Sequence, residues 1–188
     1  MKSIYESLLD DQDDIIGKAE NNDEVKKKAG EGWLKNHGVG IHTLSRDHAM
    51  EIVFGSFKGM FTGIDDMSAE YVITKKDTDA NIPELIPPVL HVRKFYVKGF
   101  LGKEIPDRLV PRMADVVMIA NCPNLTRLPQ LPNTVDTFSV VGCPKLVSLD
   151  GCPQEVNHTF KVADNGREFD WKDIHRACPK LVKQKAVY

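Results

Sequence analysis

Residues 120–153 read ANCPNLTRLPQLPNTVDTFSVVGCPKLVSLDGCP, and the pattern repeats inside this one stretch. Cys122-Pro123-x-Leu125-x-x-Leu128 returns as Cys143-Pro144-x-Leu146-x-x-Leu149, each position 21 residues further on. Extended outward, the same frame gives three units: Val92-x-x-Phe95-x-Val97-x-x-Phe100, Ala114-x-x-Val117-x-Ile119-x-x-Cys122 and Val135-x-x-Phe138-x-Val140-x-x-Cys143. A fourth, Val156-x-x-x-Phe160-x-Val162, carries an insertion. Pro111, Pro132 and Pro153 keep the same 21-residue interval, whereas Val97 to Ile119 is 22. Agreement at several positions on one period is the mark of stacked supersecondary units. Each unit is expected to supply a strand of about four residues, stacked in parallel on the next roughly 4.8 Å away, with about three or more units needed for stability. Proline fixes φ and lacks a donor, so LPQLP suits an extended return segment rather than a helix.

These residues resemble the leucine-rich repeat, and in particular its short bacterial type, over about residues 89–163. Cysteine stands where that family usually has asparagine, and Thr and Val replace some consensus leucines. The resemblance implies an α+β chain: a short leucine-rich-repeat-like parallel β solenoid of about four to six units. The expected organisation is a helical N-terminal appendage at 1–38 and a repeat domain at 39–188 closed by a C-terminal helical cap, since the ends of a solenoid must be covered. Some repeat proteins of this kind carry a ubiquitin-ligase domain after the repeats. The residues beyond 163 are too few for one, so the enzymatic part is not carried over.

Composition narrows the function classes. Apolar residues make up 41% and charged residues 28% of 188, with a net charge of −2. That is ordinary globular composition, without the basic footprint of a nucleic-acid or anionic-membrane binder. No apolar run approaches the roughly 18 residues of a spanning helix. MKSIYESLLDD lacks the apolar core of a secretory signal, so reduced cysteines and a cytoplasmic location are expected, with a virion location the alternative that the next resemblance implies. The stretch MKSIYESLLDDQDDIIGKAE resembles the short leaders of tailed-phage proteins, which implies a docking peptide with Ile4, Leu8 and Leu9 as its stripe. An ordinary terminal helix is the other reading.

Outside the repeat, residues 23 to about 35 read as a polar helix with Val25, Ala29, Trp33 and Leu34 as apolar positions, ended by Asn36-His37-Gly38. Lys26-Lys27-Lys28 is a solvated helix face. Strand-like runs follow at 48–54 and 70–74, and Ile52/Phe54 and Tyr71/Ile73 are candidates for earlier strands of the repeat sheet. Asp170 to Ala177 reads as a helix.

Four cysteines invite metal chemistry, but no C-x2–4-C knuckle exists, and His175-x-x-Cys178 is one ligand pair at best. Haem at Cys-Pro has no patterned partner histidine. A disulfide between Cys122 and Cys143 is compatible with stacking but would not persist in a reducing compartment. The repeat makes both cysteines small, buried, weakly polar ladder residues. No nucleophile elbow, phosphate loop or H-E-x-x-H is present, so no catalytic residue, metal or cofactor is assigned. One enzymatic or regulatory alternative remains, a site in 39–88 formed by His42, Asp47, His48 and Asp66.

What remains is a surface. The register predicts three outward columns: Lys94, Val116, Thr137, Thr159; Tyr96, Met118, Ser139, Lys161; and Lys98, Ala120, Val141, Ala163. An aromatic and a methionine inside a lysine rim suit a protein partner. Partner-binding residues are therefore Lys94, Tyr96, Lys98, Val116, Met118, Ser139, Val141 and Lys161. The competing reading covers this face with the N-terminal helices. The function expected is non-enzymatic protein binding, plausibly phage-encoded, with a structural or internally packaged virion component as alternative; neither nucleic acid nor membrane is a partner.

Overall fold

The computed structural model describes residues 23–40, 50–54, 57–61, 63–181 and 186–187. The chain runs through helix α1 (23–36), a ribbon of β1 (Met50–Phe54) and β2 (Phe57–Phe61), then β3 (Ile64–Thr74), β4 (Val89–Lys98), β5 (Met113–Ala120), β6 (Thr134–Val141), β7 (Glu155–Ala163), helix α2 (Trp171–Ala177) and β8 (Ala186–Val187). Strands β3 to β8 form one parallel sheet in sequence order, a β solenoid of about five turns. Ribbon β1–β2 is a separate antiparallel pair. Tyr71 and Ile73 therefore do belong to the repeat sheet, in β3, whereas Ile52 and Phe54 do not. Antiparallel pairing needs only a tight turn, while a parallel neighbour needs a full return segment, and two residues separate β1 from β2. Strands β4 to β7 run to eight to ten residues rather than the four expected, because pairing continues upstream of the consensus positions.

The inward columns are stacked position by position. Tyr71, Phe95, Val117, Phe138 and Phe160 form one; Ile73, Val97, Ile119, Val140 and Val162 the next. All ten are buried, and full burial of an aliphatic or aromatic side chain contributes about 1.5–3 kcal/mol. Leu125, Leu128, Leu146 and Leu149 fill the core from the return segments. The insertion in the fourth unit is a bulge: Val135 and Thr137 face Val156 and Thr159.

Strands β4 to β7 all end in the same corner. Gly99, Asn121, Gly142 and Asp164 all have φ between 54° and 71°. Gly, Asn and Asp are the residues that enter the left-handed region most readily. The corner amides continue the ladder, Gly99 N–H to the Ala120 carbonyl (2.9 Å), Asn121 to Val141 (2.9 Å) and Gly142 to Ala163 (3.1 Å). A Cβ on Gly142 would lie 2.5 Å from Asn121 Oδ1, so a side chain at this corner would have to displace that amide.

Helix α1 closes over the edge of the first turn. Its end is a Schellman stop at Gly38 (φ 88°), with Val39 N–H donating to the Leu34 carbonyl and Gly38 N–H to that of Lys35. Trp33 meets Tyr71 edge-on, Leu34 is fully buried, and Val72 N–H donates to the His37 carbonyl. Helix α2 begins at Asp170, whose side chain accepts from Asp173 N–H, and it buries Ile174 against the last turn beside Phe169 and Cys178. No helix among the described residues is long and apolar enough to cross a membrane.

Candidate functional site

The three outward columns stand in the register expected, and β3 adds a fifth row. The columns are Glu70–Lys94–Val116–Thr137–Thr159, Val72–Tyr96–Met118–Ser139–Lys161 and Thr74–Lys98–Ala120–Val141–Ala163. Five strands at the parallel spacing span about 19 Å. The eight residues proposed for partner binding thus share one face. Met118, 38% exposed, stands at its centre; Tyr96, Val116 and Val141 are half-buried; Lys98 and Lys161 are exposed at the rim. Ser139 is nearly enclosed at 8%, so it contributes packing more than reach.

The first row brings charge. Glu70 Oε1 accepts from Lys94 Nζ (2.7 Å) and from Arg93 Nη2 (2.9 Å). The Lys94 ammonium, and secondarily Arg93, holds the Glu70 carboxyl below its usual range. Glu70 in turn raises Lys94, whose ammonium also stands 5.8 Å from the Tyr96 ring centroid. Glu70, Val72 and Thr74 were not legible as part of this face. The Tyr71-x-Ile73 alternation was the signal, but β3 precedes β4 by 24 residues rather than 21, and its pairing slips between Asp66 and Glu70.

Helix α1 does not take up this face in the contacts described. It seats Gly30 against Leu85, Ile86 and Pro87 of the β3–β4 connection, and Lys26 pairs with Glu84 at 3.0 Å. A polar staple fixes it there. His37 Nε2 donates to Asp77 Oδ1 (2.8 Å), its Nδ1 lies 2.6 Å from the Trp33 carbonyl, and its ring stacks on Trp33 at 3.7 Å. Asp77, 4% exposed, also accepts from Thr74 N–H (2.7 Å).

The cysteines fall into two places. Cys122 and Cys143 follow the corner residues Asn121 and Gly142, both fully buried, one turn above the other. Their thiols interact and titrate as a pair: contact with Cys143, reinforced by burial, drives Cys122 far above its ordinary range. Cys152 and Cys178 lie together elsewhere; burial first, and then the neighbouring Cys178, push Cys152 up to about 12. Cys178 is pushed up to about 11 by burial. All four are free thiols; Cys122, Cys152 and Cys178 are held protonated and so are poor nucleophiles and ligands, whereas the contact with Cys122 lowers Cys143 to about 7. The next corner carries Asn165 in place of cysteine. Its Oδ1 accepts from Cys143 N–H and its Nδ2 donates to the Val140 carbonyl, both at 3.1 Å. Sequence reading missed it because the bulge in β7 shifts the spacing.

Of the residues proposed for a site in 39–88, His42, Asp47 and His48 lie outside the described residues, as do Ile4, Leu8 and Leu9. Asp66 Oδ2 accepts from Gly40 N–H (2.7 Å), and its Oδ1 accepts from both the N–H (3.2 Å) and the hydroxyl (2.8 Å) of Ser68. Among the described residues no group of three or more His, Cys, Asp or Glu is placed to hold a metal ion.

Comparison with protein-family models, with curated proteins and with solved structures finds no match for this chain.

Proposed function

We propose that this chain is a non-enzymatic protein-binding solenoid of leucine-rich-repeat type, and that the outward face of β3–β7 receives a protein partner. The observation that carries the reading is the continuous in-register face, with Tyr96 and Met118 inside a rim of Lys98 and Lys161. Amphipathic aromatic and thioether side chains supply contact area that adapts to a partner, and flanking lysines add steering. The repeat type is supported by the corner series. Asn165 stands where Cys122 and Cys143 stand, the position at which the family this sequence resembles usually has asparagine, and its amide bonds the backbone of the preceding turn. Helices α1 and α2 serve as the end caps a solenoid needs, since each buries apolar residues against a terminal turn.

The test is a photo-crosslinker at position 118 combined with the double variant Tyr96→Glu/Met118→Glu. The crosslinker should capture one partner in stoichiometric yield. The double variant should lose that partner while keeping the circular dichroism spectrum and unfolding midpoint of the parent. Undiminished capture by the double variant would refute the reading.

A further inference from the structure

A different part of the molecule carries an anion site. Six arginines lie among the described residues, and four are ion-paired: Arg93 with Glu70, Arg127 with Glu104, and Arg167 and Arg176 with Asp173. Arg108 and Arg112 have no carboxylate partner among the described residues, and both line one cleft of about 510 Å³. It opens where the return segments turn into β4, β5 and β6, and none of its lining residues belongs to the outward columns.

The chemistry of the lining is specific. Pro88, Pro111 and Pro132 supply apolar wall, and Gln130 and Asn133 supply amide donors whose side chains have no partner among the described residues. Asp107 is the one carboxylate in the lining among the described residues; it also lines the neighbouring cleft, where its charge acts on Arg127. Two unpaired guanidiniums facing one cleft repel each other. An oxyanion between them removes that repulsion and accepts planar, charge-assisted bonds from each. The proline walls favour an anion carried on an organic stem over a free ion, because the stem covers apolar surface.

We infer that this cleft binds an oxyanion borne on a peptide side chain, a phosphate or a carboxylate, held by Arg108 and Arg112. The test titrates the isotopically labelled full chain with inorganic phosphate, and then with three peptides of one sequence carrying phosphoserine, glutamate or serine. Salt is matched throughout, and the Arg108 and Arg112 side-chain Nε resonances are followed. Saturable shifts at both arginines are expected, with phosphate weakest and at least one anionic peptide about tenfold tighter, as charge-assisted bonding plus stem contact requires. Tighter binding of the phosphoserine peptide assigns a tetrahedral dianion, and of the glutamate peptide a carboxylate. Arg108→Gln/Arg112→Gln, both exposed positions, should abolish saturation with the fold intact, whereas Arg127→Gln should retain it. Shifts that fail to saturate with any probe, equal binding of the serine peptide, or saturation that survives in the double variant would overturn the proposal.

Discussion

The interior turns and the first turn of the solenoid solve one problem by different means. In β5 to β7 every inward side chain has an equivalent above or below it, as with Phe138 on Phe160 (ring centroids 5.2 Å), and the corner amides after β4, β5 and β6 bond the next turn in sequence. Strand β3 has a repeat neighbour on one side only. Its other edge is met by α1, whose Trp33 and Leu34 replace a stacked unit and whose position is fixed by a buried polar group, Asp77 with His37 and Thr74. Strand β3 also slips register against β4; within the interior the same happens only at the single bulge between β6 and β7, and the pair β5–β6 stays in register. Repetition thus stabilises the middle through many identical apolar contacts, while the end depends on a few specific ones.

Perturbations can break this comparison. The largest effect is expected for Phe138→Ala, which opens a cavity between two stacked turns and should cost about 3–5 kcal/mol in chemical denaturation. If it costs less than the end-turn variants, the interior is not the stronger part. Next is Asp77→Ala, which leaves His37 Nε2 and Thr74 N–H without their acceptor and should cost about 1–3 kcal/mol. Amide exchange should show the loss concentrated in α1 and β3; a loss spread evenly over β5–β7 would remove the distinction. The smallest effect, of opposite sign, belongs to Tyr71→Phe. The Tyr71 hydroxyl is buried with no hydrogen-bond partner among the described residues, and burial, then the charge of Asp77, push its phenol well above the usual range. Deleting a buried unpaired hydroxyl should leave stability unchanged or raise it by up to about 1 kcal/mol. A loss greater than about 1 kcal/mol would mean the hydroxyl is satisfied and the end turn is better packed than described.

Much of the interior was legible in one dimension. Val117, Phe138 and their neighbours recur at a fixed interval, and a parallel stack turns a constant interval into columns, so the composition of the outward face followed without coordinates. Helix α2 was legible through Asp170, a good N-cap ahead of Trp171 and Ile174. Strand β3 was legible through Tyr71 and Ile73 as a candidate strand of the sheet, but its register was not, because its interval is longer and its pairing slips. Asn165 was not, because the bulge moves it one place out of frame. Arg108 and Arg112 were not, because no pattern in sequence tells a paired arginine from an unpaired one.

The sequence by itself therefore determined the stacked parallel strands, the ladder role of Cys122 and Cys143 and the membership of the central face. These depend on periodicity, and period maps directly onto stacking. Only the tertiary structure decided that β1–β2 stands apart from the main sheet, that α1 sits on the end of the core, that Glu70 engages Lys94 at the rim, and that two arginines share a cleft. Each of these depends on where non-repeating segments come to rest, and that is set by contacts between residues far apart in the chain.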